Sequence, residues 1–569
     1  MNVKTLSTGD YAVFFVYFII VSLYGWWVYK SKNKSDEATS KGYFLAEGSL
    51  TWWAIGASLI ASNISAEQMV GMSGSGFQMG LAISTYEWMA AATLIIVAIF
   101  FIPVYLKNKI ATMPQFLNQR YNGTVAMIMA VFWLLLYIVV NLMSILFLGA
   151  LAISGISGID IHWVICLLAV FAIIITLGGM KVIGYTDVIQ VFFLILGGLA
   201  ATYIALNLIS EKSGTTGLWN GFNLLRVDAA DHFHMIFKKD NPNYMDLPGL
   251  SVLIGGMWIT NLNYWGCNQY ITQRALGADL KTARGGILFA AFLKLLMPVI
   301  VVLPGIAAYV LYQKGMFHHE MLSSKGVLDV NKAYPSVLNL LPNYLKGLAF
   351  AALTAAIVAS LAGKVNSIAT IFTLDIYKKA INPGASEKKL VVWGKWSVVV
   401  AMALGVILSL VIGDQLMGEG KQGFQYIQEY TGFVSPGIFA MFILGFFWKK
   451  ATSNAALFAT IGGFVFSVFF KLLPRFANLE FLSPFGYSKL VLQDDKVTKL
   501  YEIPFFNRME FVFIICVVGM YIISMIENAK GLRTNGLEID ASMFKTNKSF
   551  TIGAIIICVI LTALYTIFW

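Results

Sequence analysis

Ala61-Ser62-Asn63-Ile64-Ser65-Ala66-Glu67-Gln68, followed by Gly71-Met72-Ser73-Gly74-Ser75-Gly76, lies inside an otherwise apolar segment at 52–77. Hydrocarbon offers no partner to a free backbone group or a side-chain amide. Such a stretch is tolerated only against protein or a water-filled cavity, so it points to a substrate or ion pathway. The rest of the chain agrees. Of its 569 residues, 58% are hydrophobic and 12% charged, where a soluble chain carries roughly a quarter charged residues. Mean hydropathy is +0.74, and apolar runs of about 18 residues or more, each able to cross about 30 Å of hydrocarbon as a helix, recur throughout. The fold class is an all-α integral membrane protein. Its four cysteines (Cys166, Cys267, Cys516, Cys558) have no metal-type spacing and read as buried inert thiols, not a disulfide framework.

Fourteen spans are expected, at 11–30, 52–77, 81–106, 124–152, 161–177, 186–209, 248–267, 283–312, 345–377, 391–414, 424–448, 453–473, 507–526 and 549–568. The first has neither the basic flank nor the small-residue site of a cleavable signal. Basic residues cluster after odd-numbered spans: Lys30, Lys32, Lys34 and Lys41; Lys107, Lys109 and Arg120; Lys181; Arg274, Lys281 and Arg284; Lys378, Lys379, Lys388 and Lys389; Lys449 and Lys450; Lys530, Arg533, Lys545 and Lys548. The short connections on the other side carry almost none, Lys421 excepted. The positive-inside rule then puts odd loops in the cytoplasm and both termini outside a cell membrane. The net charge of +11 follows from this topology and implies no nucleic acid. The long outer loops near 210–247, 313–344 and 474–506 should fold over the outer face.

Spans 2–6 and 7–11 form two sets of five. An odd number starts the second set on the opposite side, as an inverted repeat requires. The first helix of each half should be broken near the midplane: span 2 at 62–65, span 7 across 255–266, which contains Asn261, Asn263 and Tyr264. The glycines there would also suit plain helix packing; the amides argue against it. At 1.5 Å per residue, Asn63, Asn261, Lys294 and Ser360 all fall about 11–15 residues into their spans, near mid-bilayer. Glu87 and Gln428 lie about one turn nearer the outer face.

Asn63, Gln68, Glu87, Asn261, Tyr264, Lys294 and Gln428 would thus line one cavity. Amides with one carboxylate and one ammonium offer dense donor and acceptor capacity, which suits a neutral polyhydroxy solute. Tyr86, Trp265 and Phe424 could cover its apolar face. A structural alternative is that Glu87 and Lys294 form a buried ion pair joining helices. The five histidines lie at or near outer loops, which leaves no nucleophile–base or metal cluster for an enzyme.

Several motifs recur in order: Asn63-Ile64-Ser65-Ala66-Glu67-Gln68, Tyr86-Glu87-Trp88, Gly178-Gly179 with Thr186-Asp187-Val188-Ile189-Gln190, Tyr264-Trp265-Gly266, Asn268-Gln269-Tyr270 through Gln273-Arg274, and Phe424 to Tyr430. From about Asp10 to Trp569 the chain resembles the sodium/glucose cotransporter branch of the solute:sodium symporter family, especially its bacterial sodium/galactose members. The resemblance implies a single LeuT-type transporter domain over 1–569. Residues 11–30 would be a peripheral helix, 52–209 and 248–448 the inverted repeats, and 453–569 peripheral C-terminal helices. It implies a monosaccharide substrate bound by Asn63, Gln68, Glu87, Asn261, Lys294 and Gln428, with Tyr264 stacked beneath as inner gate. Met72, Tyr86 and Phe424 would close the outer side. Sodium would use the carbonyls of Ala61, Ile64 and Ala356 with two adjacent hydroxyls on span 9. Beyond sugar and lipid bilayer, no protein partner is evident.

Here the chain departs from the pattern. Ser360 is present, but its neighbour is Ala359, and one turn further comes Lys364 in place of an apolar residue. A mid-membrane lysine costs on the order of 3 kcal/mol unless paired or hydrated. Asp187 is the expected partner. Lys364 could reach an inner vestibule, stand in for sodium in an uncoupled or proton-linked carrier, or serve as a structural ion pair. Ala90 and Asn263 also depart from the bacterial pattern and bear on which sugar binds. The reading is a sodium-driven monosaccharide importer, with a sodium-independent carrier and a sugar-gated sensor or channel as the other readings.

Overall fold

Span 9 is the axis of the molecule. In the computed structural model, which describes residues 6–30, 40–45, 50–323, 326–417, 423–492 and 498–569, the apolar window of Leu345–Ile381 is 94% buried, against 22% in Thr8–Lys30 and 17% in Lys548–Ile567. Composition explains the difference. Ala351, Ala352, Ala355, Ala356, Ala359, Ala362 and Gly363 present little bulk, so neighbouring helices approach closely. Gly179–Lys212, Thr8–Lys30, Ile161–Leu177 and Glu387–Met417 all pack on it. The first and last helices keep large apolar side chains such as Phe15, Ile19, Ile555 and Val559 exposed, as a lipid-facing surface requires. Asp10 joins periphery to axis: its carboxylate accepts from Tyr344 N–H at 2.7 Å and Gly347 N–H at 3.0 Å, at the start of span 9.

Among the described residues, ten helices are long and apolar enough to cross a bilayer, or eleven with the pair Gly423–Gly432 and Ser435–Phe447, bent by 50°. The expected count of fourteen is not reached by that measure, for three reasons. Spans 2 and 3 share one continuous helical stretch, Glu67–Lys107, and Ile161–Leu177 is a shorter apolar helix. Span 7 is divided into Leu250–Ile254, Gly256–Cys267 and Gln269–Leu276.

Span 2 breaks where its polar residues fall. The helix Trp52–Asn63 ends at Ile64, whose backbone is extended (φ −80°, ψ 101°), and helix resumes through the wider π-type turns Glu67–Met72 into Ser73–Met79. Both halves lie against Leu280–Gln313. A Cβ on Gly56 would sit 2.7 Å from Gly286 O, and one on Gly305 2.0 Å from Ser73 O, so glycine alone permits these crossings. Span 7 differs from expectation. Its breaks fall at Gly255 and Asn268, while 256–267 stays helical. Gly266, read as part of the break, packs against Phe101, and its carbonyl accepts the Tyr105 hydroxyl at 2.7 Å.

The long loops opposite the basic ones do interlock. Leu218–Asp228 is helical, and Lys489–Leu492 pairs antiparallel with Lys499–Glu502. Tyr244 OH reaches Gly486 O at 2.9 Å, and Met235 N–H bonds Phe568 O at 2.8 Å. Cys267 and Cys516 are buried thiols, but Cys166 and Cys558 are exposed, contrary to the expectation of four buried ones. Lys32, Lys34 and Lys421 lie outside the described residues.

Candidate substrate and cation site

Four helices contribute one bonded chain at the centre. The Lys294 ammonium, on Leu280–Gln313, donates to Glu87 Oε2 and Asn63 Oδ1. Asn63 Nδ2 donates to the Tyr264 hydroxyl at 2.9 Å. The ammonium also lies 5.2 Å from the Trp265 ring centroid. Lys294 is 1% exposed and Glu87 3%. Charges at that depth persist only when paired and hydrogen-bonded, and here they are. The ion pair read from the sequence is present, and it joins four of the residues expected to line a cavity: Asn63, Glu87, Tyr264 and Lys294. Asn261 stands one turn before Tyr264 on the same helix, 5% exposed, and its Nδ2 has no hydrogen-bond partner among the described residues. A buried amide without an acceptor costs about 1–3 kcal/mol, which an incoming hydroxyl would recover.

Two other expected residues are arranged differently. Gln68 turns back on the break, its Oε1 accepting from Ser65 N–H and Ser65 Oγ, both at 3.1 Å. Gln428 is half-buried, and the bonded chain does not extend to it. Its neighbour Gln425 accepts the Tyr86 hydroxyl at 3.1 Å instead. The Tyr86 ring meets Phe424 edge-on at 4.9 Å, and Phe424 presses on Gly71 beside the buried Met72. Tyr86 and Phe424, two of the three residues expected as an outer gate, are thus in direct contact, and Met72, the third, is buried.

The break in span 2 presents oxygens to span 9. Ser65 N–H, which would close the helix onto Ala61 O, is committed to Gln68, so the Ala61 carbonyl loses its usual donor. Glu67 N–H likewise bonds Ser65 Oγ at 3.1 Å. Ser360 Oγ reaches Ser62 O at 3.0 Å, which joins span 9 to the break. Ala61, Ile64, Ala356 and Ser360 are all buried, and Ala359 offers no side-chain oxygen. Neutral carbonyls from unwound helix with a hydroxyl are a chemically fitting set for sodium.

The expected pairing of Lys364 with Asp187 is wrong. Lys364 Nζ faces Glu67 Oε2 at 3.7 Å. Asp187 accepts Ser58 Oγ at 2.5 Å and lies 3.9 Å from Arg274 Nη2. Arg274 donates through Nε to Ser58 Oγ at 2.7 Å and through Nη1 to Tyr270 O. Ser58 bridges the two, donating to the carboxylate and accepting from the guanidinium, and the nearby Arg274 charge offsets that of the buried Asp187. Beside them, Gln273 Nε2 donates to Thr370 Oγ1 at 3.2 Å and Ser367 Oγ donates to Gln273 Oε1 at 3.0 Å. The sequence gives no role to Glu67, Ser58 or Gln425, and places Arg274 in a basic loop, where the structure buries it at 1% exposure. Each sits within or beside a quoted motif, but contacts across 77 to 339 positions are invisible to spacing.

The sequence matches the sodium:solute symporter family over residues 43–463. The chain belongs to that family. The sodium/glucose cotransporter of Vibrio parahaemolyticus is 45% identical over 99% of both chains. The sodium/myo-inositol cotransporter 2 of Oryctolagus cuniculus is 34% identical over 84% of this chain and 72% of its own. Among solved structures, a Na+-coupled sialic acid symporter in a substrate-bound outward-open state superposes with a TM-score of 0.73 at 21% identity, covering 91% of this chain and 98% of its own. That likeness places the symporter fold on this chain.

Proposed function

We propose that this protein imports a monosaccharide, galactose or glucose, by alternating access driven by sodium, with 52–209 and 248–448 as inverted halves and both termini outside the cell membrane. The buried Asn261 amide without a partner, beside the Asn63–Tyr264–Lys294–Glu87 chain, carries the substrate reading. It is a polar surface that a neutral polyol completes and hydrocarbon would not. Asn63, Glu87, Asn261 and Lys294 bond sugar hydroxyls, with Gln68 and Gln428 joining when the bundle opens. Tyr264 stacks beneath the ring, and Met72, Tyr86 and Phe424 close above it. Sodium bound by Ala61, Ile64, Ala356 and Ser360 favours the outward-open state and so raises sugar affinity there, by no more than its differential affinity for the two states.

Labelled galactose and glucose uptake into proteoliposomes tests this, with an inward sodium gradient, with potassium replacing sodium, and with a proton gradient alone. Accumulation with sodium only is the expected result. Sugar entry indifferent to sodium would overturn the coupling while leaving the sugar site standing.

A further inference from the structure

Lys364 is 2% exposed, and its surroundings are specific. Its ammonium lies 3.7 Å from Glu67 Oε2 and 5.1 Å from the Tyr270 ring centroid. The other Glu67 oxygen accepts the Ser144 hydroxyl at 2.5 Å. Glu67 stands three residues past Ile64 in span 2, and Lys364 one turn past Ser360 in span 9. The segments themselves touch: Ser360 Oγ bonds Ser62 O at 3.0 Å, and a Cβ on Gly363 would sit 3.1 Å from Ser62 Oγ. The two segments that would hold sodium thus also hold an ion pair. Two cations side by side in a medium of low dielectric repel strongly, and one carboxylate cannot fully offset both.

We propose that Lys364 is an internal competitor of sodium, and that its pair with Glu67 sets the affinity of the cation site. The inference rests on the sodium site proposed above. In the resting protein Glu67 is held by Lys364. When sodium enters the break, the carboxylate's field is shared between the ion and the ammonium, so binding is weaker than the oxygens alone would give.

Equilibrium binding of radioactive sodium to the purified full-length protein, without sugar, tests it. Lys364→Met frees the carboxylate and should tighten sodium about tenfold, whereas Glu67→Gln leaves the ammonium unopposed and should weaken it at least about fivefold. Lys364→Arg, which keeps the charge, and the neutral double variant Lys364→Met/Glu67→Gln should both stay within about threefold of wild type. Opposite signs from the two single changes are not produced by a merely structural role. Sodium affinity unchanged or lowered in Lys364→Met overturns the proposal. If Lys364→Met does not fold, weak binding in Glu67→Gln that recovers in the double variant supports it, and no recovery overturns it. If wild type binds no sodium, the coupling proposed above falls. Binding gained by Lys364→Met would then still support competition, and none gained would overturn it.

Discussion

Asn261 differs from its neighbours in having a buried donor that protein does not satisfy, so its removal breaks no internal bond. Asn261→Ala should weaken sugar affinity about tenfold while changing stability by less than about 1 kcal/mol; counterflow affinity and thermal unfolding in detergent measure the two. Lys294→Met should behave oppositely in stability. It strands the Glu87 carboxylate, so it should abolish uptake and cost about 3–5 kcal/mol, read by the same pair of assays. On the long loop at 210–247, burial and the nearby Glu429 push Asp246 up to about 6. A folded-state acid raised this way binds its proton more tightly than the unfolded chain does, so its penalty grows between pH 4 and 6 and persists above. Asp246→Asn should therefore stabilise by about 1–2 kcal/mol at pH 8, with the gain shrinking as pH falls toward 4, as thermal melts across pH would register.

The elements were legible in unequal measure. Span 2 broke where Asn63, Ser65 and Gln68 predicted, because the Ser65 and Gln68 side chains compete with the helix for its own backbone donors. Span 7 did not. Gly255, Gly256 and Gly266 suggested a long break, yet Gly266 serves close packing on Phe101, and the chain turns at Asn268, whose side chain accepts the Tyr137 hydroxyl. A glycine in an apolar helix signals either use, and periodicity does not distinguish them. Gly363 offers a test of packing between elements. A methyl there would fall 2.5 Å from Arg274 Nη2, so Gly363→Ala should displace the guanidinium and loosen the seal around Asp187. Faster hydrogen exchange in Trp52–Asn63 and Gln269–Leu276 would register it.

At the scale of the whole molecule, we propose that two side-chain clusters close the polar centre: Met72, Tyr86 and Phe424 on one side, and Ser58, Asp187 and Arg274 on the other. Arg274→Ala removes the bonds of one seal alone and should shift the population toward states open on the side of the basic loops. In a background with the exposed Cys166 and Cys558 changed to serine, the buried Cys267 should then react with a membrane-impermeant maleimide applied from that side; unchanged protection would show that the network does not hold the seal. Composition and the placement of polar residues in apolar spans determined, without any structure, that the chain crosses a membrane and that Asn63, Glu87 and Lys294 meet at its centre. Exclusion from hydrocarbon leaves such residues nowhere else to go. Which charge answers which was decided by tertiary structure alone. Lys364 meets Glu67 and Asp187 meets Arg274 because partner choice depends on distances of a few ångströms between helices far apart in sequence, and helical spacing carries no record of them.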